Sequence, residues 1–302
     1  MSQLVYSQAP HIHTSDSSTK RIWIWNASLL PIAIAAWASF GGAAFLIMFF
    51  SVSGAALGEV FGKFIFRRKF VLPDGRAVYI GLVFSFLVTS NVSPVITLAS
   101  TFLATVLAQE CFGGLGTSIF HPSLVAFVFL HIFSALFGDG APTGSTFLFQ
   151  LAENLDVKLD PLNFLWGVRS GTLGESSLLM AAAGALVLLM QRIISSKPSL
   201  FYLGSVLAAS LLIHVSPATE FLVGGTLLIA FFVIPDYETA PVNRYAKYVY
   251  ALACGFLLTM LRHGTGRSES ALYGLLLLNG FSPLLDQWFG RMKTYGRNGC
   301  SR

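Results

Sequence analysis

Apolar stretches separated by short polar connections follow one another along almost the whole chain. A membrane-crossing helix needs roughly 20 mostly apolar residues. We predict ten such helices, over residues 22–39, 42–66, 77–90, 94–111, 120–137, 172–191, 199–214, 218–234, 245–262 and 269–289. The third, seventh and eighth are short for a bilayer. Short or interrupted helices are tolerated in a membrane only where the protein itself or a polar cavity satisfies the hydrogen bonds of their backbone groups. The pattern predicts an all-α integral membrane fold.

Composition supports this prediction. The chain is 54% hydrophobic and only 11% charged, against about 25% charged residues in a typical soluble domain. So little charge excludes soluble enzymes, nucleic-acid-binding modules and disordered proteins. The first apolar stretch is not expected to be a cleaved signal peptide, because it continues through two glycines into the second stretch.

The basic residues predict the orientation of the chain in the membrane. Cytoplasmic loops carry an excess of Lys and Arg. With the N-terminus inside, 15 of the 19 basic residues are cytoplasmic, and the outer ones are Lys158, Arg169, Arg262 and Arg267. We therefore expect a protein of the cell inner membrane with both termini in the cytoplasm, where 1–21 form an N-terminal segment and 290–302 a tail.

One long polar connection, residues 138–171, divides the chain into halves of five spans, 22–137 and 172–289. The predicted orientation places the connection outside the cell membrane. Connections of more than about 15 residues are usually functional or disordered. Length and composition alone leave both interpretations open for this loop.

The two halves show a related pattern of helix breaks. In the first half, a break at 90–94 is followed by a glycine cluster at 113–116; in the second, a break at 235–241 is followed by glycines at 264–266. An odd number of spans per half requires the second half to be upside down. The pattern therefore predicts two inverted five-helix repeats, which place a binding site near their interface.

Five glutamates lie within or at the ends of the predicted spans, where ionisable groups are rare and often functional. Glu175, Glu220 and Glu269 fall in first turns of helices, where a carboxylate suits the positive end of the dipole. Glu59 is four residues before Lys63, which indicates a local ion pair. Glu110 has no obvious local partner and best fits an ion path, with Glu59 as the second candidate.

The histidines and cysteines predict no metal site and no catalytic residue. His121, His131 and His214 lack metal or haem spacing, and a lone membrane histidine is usually hydrogen-bonded across helices. Cys111 and Cys254 are expected to be small core residues, and Cys300 forms no CxxC pair with either.

Five short segments, in order and on matching spans, carry a family resemblance. The first is SQAPH at 7–11; the second is FGGLG at 112–116 with FHP at 120–122; the third is GTLGESS at 171–177. The fourth combines GT at 225–226, AFF at 230–232 and Asp236, and the fifth is NGFSPLLD at 279–286. Together they resemble the RnfD/NqrB family, the flavin-carrying membrane subunits of Rnf and Na⁺-pumping NADH:quinone oxidoreductase complexes. The short N-terminal segment makes the chain more similar to RnfD.

The resemblance implies a covalent FMN, joined by a phosphoester to a threonine in the outer loop. Residues 143–148, TGSTFL, match the family's S-x-A-T-P-L motif and make Thr146 the acceptor, with Thr143 as the first alternative. Small residues at Gly144 and Ser145 leave room for a phosphoryl-flavin. Phe147 replaces the family's proline, and Ser145 its alanine. A flavin transferase is then a partner during maturation.

The resemblance also implies a second, non-covalent riboflavin near the cytoplasmic side. The family binds it with asparagines and with the Asp of an Asp-Pro pair. Here Ser118 and His121 stand at the asparagine positions, and Asp236 is followed by Tyr237 rather than proline. Serine and histidine can still hydrogen-bond a flavin edge, so this second site stays an open expectation.

The sequence as a whole indicates a membrane subunit of an Rnf-type complex. It would relay electrons between membrane and flavin/iron–sulfur subunits while the complex moves Na⁺ or H⁺, with no turnover as a stand-alone enzyme. No nucleic-acid partner is expected. The alternatives are a small-solute channel of the urea-channel type and a flavin-free structural homologue, and yellow colour in purified protein would separate the first interpretation from both.

Overall fold

A computed structural model describes residues 17–68, 74–137, 171–222, 225–265, 267 and 269–298 of the chain. Within these residues the protein forms helices and no strand. A single isolated bridge joins Thr89 and Thr172, where Leu173 N–H also donates to the Val88 carbonyl at 2.9 Å. The all-α prediction is confirmed for the described residues.

The helices of the first half follow the predicted spans closely. They are α1 (Ser18–Phe40), α2 (Gly42–Ile65), α3 (Arg76–Phe86), α4 (Pro94–Ala104) with a π-helical continuation over Thr105–Glu110, and α5 (Pro122–Phe137). The Ser17 hydroxyl caps α1 by accepting from the Lys20 N–H. Gly41 separates α1 from α2 with a φ of 65°, a left-handed value at which glycine carries no Cβ penalty.

The second half is more interrupted than its apolar pattern suggests. It contains a 3₁₀ turn (Leu173–Glu175), α6 (Leu178–Met190), α7 (Ser196–Leu212), α8 (Pro217–Leu222), α9 (Thr226–Leu228) with a π-helical continuation over Ile229–Val233, α10 (Arg244–Thr265) and α11 (Glu269–Asn298). The predicted eighth span is therefore two pieces, α8 and α9. The predicted sixth span opens with the 3₁₀ turn, which Thr172 and Glu175 close with a capping box.

Two of the described helices, α1 and α2, are long and apolar enough to cross a membrane. Four others are apolar but shorter: α3, α4 with its π-helical continuation, α5 and α6. At 1.5 Å per residue, the 11 residues of α3 span only about 16 Å. So short a helix is tolerated because it is buried, with nearly all of its side chains facing other protein groups.

The helices pair in the same way in both halves. In the first half α4 packs on both α2 and α5; in the second, α10 packs on both α7 and α11. The halves meet where α1 lies against α6 and where α5 contacts α11. Each half thus has its fourth span between its second and fifth.

A row of glycines allows α2 and α4 to approach closely. Gly54, Gly58 and Gly62 recur at every fourth residue and are buried on one face of α2. A Cβ at position 58 would lie 2.6 Å from the Phe102 carbonyl oxygen. Small residues at this spacing are the usual basis of close packing between membrane helices.

We expect Gly58→Ala to destabilise the protein by about 1–3 kcal/mol, as overpacking against a backbone atom that cannot rotate away. Thermal unfolding of the purified protein measures this loss. Gly204→Ala is the matched control, because a Cβ at 204 meets nothing within 4 Å and alanine is the better helix former. Equal melting temperatures for the two variants would contradict the packing role of Gly58.

Candidate cofactor and ion sites

A buried arginine organises the end of the molecule at which α3 begins. Arg76, the first residue of α3, has a relative exposure of 1%. Its Nη2 lies 3.1 Å from Asp236 Oδ2 and 2.8 Å from Glu238 Oε2. Both carboxylates belong to the turn that follows the π-helical segment, 160 and 162 residues away in sequence. Such a charge group is stable in a protein interior only because each member is paired.

His121 and Tyr79 complete this group. His121 Nε2 lies 3.6 Å from Asp236 Oδ2 and 3.4 Å from the Tyr79 hydroxyl, which itself donates to the Phe232 carbonyl. Ser118 is buried beside Glu238. The structure therefore brings together the three residues predicted for a second flavin. We call this group the Arg76 cluster: Arg76, Tyr79, Ser118, His121, Asp236 and Glu238.

Burial has the largest effect on the pKa of the Glu238 carboxyl in this turn. It raises the pKa of the Glu238 carboxyl above its ordinary value, while the Arg76 guanidinium and the nearby Gly116 N–H and Ser118 hydroxyl act in the opposite direction. A carboxyl held in this way responds to any charge or hydrogen-bonding group brought beside it.

Several polar atoms in and around the Arg76 cluster have unused hydrogen-bonding capacity. Among the residues that the structure describes, six buried atoms here have no hydrogen-bond partner: Trp25 Nε1, Arg76 Nε, Ser118 Oγ, His121 Nδ1, Glu238 Oε1 and Thr239 Oγ1. The Trp25 ring lies 5.6 Å from the Tyr79 ring and 6.2 Å from the Tyr237 ring. Buried polar groups are normally satisfied, so this concentration suits a ligand with both polar and aromatic character.

A second charge group lies where the π-helical continuation of α4 ends. Glu110 is the last residue of that turn and is fully buried, with Oε2 3.5 Å from Arg68 Nη1 and Oε1 accepting from Gln109 at 3.2 Å. Single π-helical turns occur frequently at functional sites. The sequence offered no partner for Glu110, whereas the fold supplies Arg68. The predicted local pair of Glu59 with Lys63 is confirmed.

A third group joins α8, α9 and α10. The buried Glu220 carboxylate binds Arg262 through Oε2 at 2.9 Å and His263 through Oε1. Arg262 also donates to the Thr226 hydroxyl, which in turn donates to the Glu220 carbonyl. The first-turn position of Glu220 is confirmed, but its contacts to α10 were not predicted. The available signal was Arg262, a charge near the end of an apolar stretch.

The remaining histidines and cysteines have individual environments. His131 contacts Glu269 of α11 at 3.0 Å, which confirms the predicted hydrogen bond across helices. Cys254 is buried, as expected. The core prediction for Cys111 is wrong: the cysteine follows the π-helical turn, where the chain leaves α4, and it is exposed.

The predicted FMN acceptor Thr146, with Thr143, Gly144 and Ser145, lies outside the described residues. The structure does describe both flanks of that loop, which are the end of α5 at Phe137 and the capped turn after Gly171.

Comparison with known proteins gives matches over nearly the whole chain. A family model described as the NQR2, RnfD, RnfE family matches residues 5–296. The D-type subunit of the ion-translocating oxidoreductase complex of Methanosarcina acetivorans is 30% identical, over 95% of this chain and 95% of that protein. The D-type subunit of the Na⁺-translocating ferredoxin:NAD⁺ oxidoreductase complex of Acetobacterium woodii is 27% identical, over 97% and 95%.

A third relative is the D-type subunit of the proton-translocating ferredoxin:NAD⁺ oxidoreductase complex of Clostridium ljungdahlii, which is 25% identical over 93% of both chains. The predicted resemblance is thereby confirmed, and the chain belongs to the NQR2, RnfD, RnfE family.

Proposed function

We propose that the chain is the D-type membrane subunit of an Rnf-type ion-translocating oxidoreductase complex. In this role it relays electrons between partner subunits while the complex moves Na⁺ or H⁺. The observation that carries the proposal is the end-to-end match to relatives that are each named as the D-type subunit of such a complex. This match favours an electron-transport subunit over a urea-type channel.

The proposed cofactor is FMN, held by a phosphoester to Thr146. Bound there, it would supply one- and two-electron redox chemistry, and the protein would supply its position and surroundings. The small residues Gly144 and Ser145 beside Thr146 support this proposal, because they would leave room for a phosphoryl-flavin. A covalent bond also retains the cofactor on a face from which a diffusible flavin would be lost.

The test is direct. Denatured chain, separated from its complex on a gel, should still fluoresce under ultraviolet light, because a phosphoester survives denaturation. A dark band from yellow native complex would remove covalent FMN from the proposal, and colourless protein would favour the channel or the flavin-free homologue.

We propose that the chain lies in the inner membrane with both termini in the cytoplasm. We also propose that its two five-helix halves are inverted repeats. The excess of basic residues on one side supports the orientation. The matching helix pairs, α2–α4–α5 and α7–α10–α11, support the repeat.

Cysteine labelling in intact cells tests the orientation. Both substitutions are made in a chain whose three native cysteines are replaced by serine, because Cys111 is exposed. Asn154→Cys, in the long loop, should react with a membrane-impermeant thiol reagent. Ser195→Cys, in the short connection between α6 and α7, should react only after the cells are opened. The opposite pattern would invert the whole molecule and place the proposed FMN in the cytoplasm.

The second proposed flavin is a non-covalent riboflavin at the Arg76 cluster. The buried His121 Nδ1, which has no hydrogen-bond partner among the described residues, supports it, as does the nearby Trp25 Nε1. Ser118 and His121 would face the flavin edge. Asp236 already binds Arg76 through both oxygens, so its proposed role is to hold that guanidinium in place.

For the ion path we propose Glu110 rather than Glu59. Glu59 is already paired with Lys63, which makes it less suited than Glu110 to exchange an ion. Glu110 is buried on a π-helical turn, and its Arg68 partner is only loosely placed at 3.5 Å. A buried carboxylate with a distant cation is the more suitable group to exchange an ion.

A further inference from the structure

A cavity of about 180 Å³ opens between α1, α2 and the residues that begin α3. Its lining includes Trp23 from α1, Glu59, Val60 and Lys63 from α2, and Gly75 before α3. A cavity of this size holds several water molecules, which is sufficient for a small lipid headgroup. We call it the interfacial cavity.

The interfacial cavity presents one negative and one positive group in an otherwise apolar wall. Glu59 and Lys63 form an i,i+4 ion pair, and each side chain has a relative exposure of 12%. These two opposite charges form a dipole in the wall of the cavity. A ligand that uses both ends of such a dipole must carry an anion and a cation at a short separation.

The position of the cavity points to the surface of the bilayer. Lys63 lies in the last turn of α2, and Trp23 lies near the beginning of α1. Tryptophan is enriched at the level of the headgroups. Val60 of the lining is exposed on α2, as are its sequence neighbours Leu57 and Phe61. An apolar exposed surface here suits acyl chains, and the two helix ends lie at a membrane surface in either orientation of the chain.

We propose that the interfacial cavity binds the headgroup of phosphatidylethanolamine. The lipid phosphate accepts from the Lys63 ammonium, and the lipid ammonium donates to the Glu59 carboxylate. Phosphatidylcholine fits less well because its quaternary ammonium has no N–H to donate. Phosphatidylglycerol has no cation for Glu59. This binding is independent of the flavin proposals.

The test measures the lipids that stay with the purified complex. Detergent-purified complex is incubated with equal amounts of phosphatidylethanolamine, phosphatidylcholine and phosphatidylglycerol of matched acyl chains, washed, and analysed by lipid mass spectrometry. Wild type should retain phosphatidylethanolamine preferentially. The double variant Glu59→Gln, Lys63→Gln keeps side-chain length and hydrogen bonding but removes both charges. We expect about tenfold weaker retention at this site, as for loss of a charge-assisted hydrogen bond.

Two controls make the outcome decisive. Lys197→Gln, an exposed basic residue in the first turn of α7, should retain as much phosphatidylethanolamine as wild type. If the neutral double variant fails to fold, Glu59→Gln alone is the second variant. It keeps Lys63 and should lose the preference for phosphatidylethanolamine over phosphatidylglycerol, because the lipid ammonium then has no carboxylate to donate to. Equal retention in wild type and the double variant, no headgroup preference in wild type, or equal competition by soluble glycerophosphoethanolamine would each overturn the proposal.

Discussion

Replacing Thr146 by alanine is expected to abolish the ultraviolet fluorescence of the denatured chain. Without the threonine hydroxyl no phosphoester to FMN can form at this position. The substitution removes only a hydroxyl and a methyl group from the long polar connection. Expression and assembly should therefore stay at the wild-type level while the gel band becomes dark.

Two neighbouring substitutions serve as controls for Thr146→Ala. Thr143→Ala should leave the band bright, because the family motif aligns with Thr146. Thr146→Ser restores a hydroxyl and should recover part of the fluorescence. A bright Thr146→Ala band together with a dark Thr143→Ala band would move the acceptor to Thr143 and leave the rest of the proposed function intact.

Hydrophobic patterning was sufficient to locate most helices, because a helix that crosses a membrane is a continuous run of apolar residues and is visible in the local composition. It failed at the eighth span, where glycine lies within an uninterrupted apolar run. Gly225 adopts a left-handed φ of 63° between α8 and α9. Averaged hydropathy does not register such a break, since glycine is neither polar nor charged. The same limit hides π-helical turns, which change hydrogen bonding without changing composition.

The sequence predicted some residues of the Arg76 cluster and missed others, because contacts between distant segments are not visible in local composition. Ser118, His121 and Asp236 were found through family motifs, and the fold brings them together. Arg76 was missed because its partners lie 160 residues away, and only the packing of α3 against the turn after α9 brings them together. A charged residue that begins an apolar span is a signal of such pairing, although the signal does not identify the partner.

The largest expected loss of stability comes from Asp236→Ala. Removing one partner of a buried ion pair typically costs about 3–5 kcal/mol. Glu238 still contacts Arg76 at 2.8 Å, so we expect a loss of about 3 kcal/mol, measured by thermal unfolding of the purified complex. Asp236→Asn keeps a hydrogen-bond acceptor for the guanidinium and should lose less. An unchanged melting temperature for Asp236→Ala would contradict the anchoring role of the Arg76–Asp236 pair.

His121→Ala separates this structural role from ligand binding. The contacts of His121 Nε2, at 3.4 and 3.6 Å, are long for hydrogen bonds, so the loss of these contacts should cost only about 1 kcal/mol. The ring is fully buried, and the cavity that it leaves adds to this cost. If riboflavin occupies the Arg76 cluster, acid should release much less non-covalent flavin from His121→Ala than from wild type, while the FMN on Thr146 is unchanged. The control is His214→Asn. His214 has a left-handed backbone conformation, and asparagine tolerates this conformation. Loss of non-covalent flavin from a His121→Ala protein that still folds is a result that only a ligand contact explains. Equal flavin release from all three proteins would instead leave the Arg76 cluster as a purely structural group.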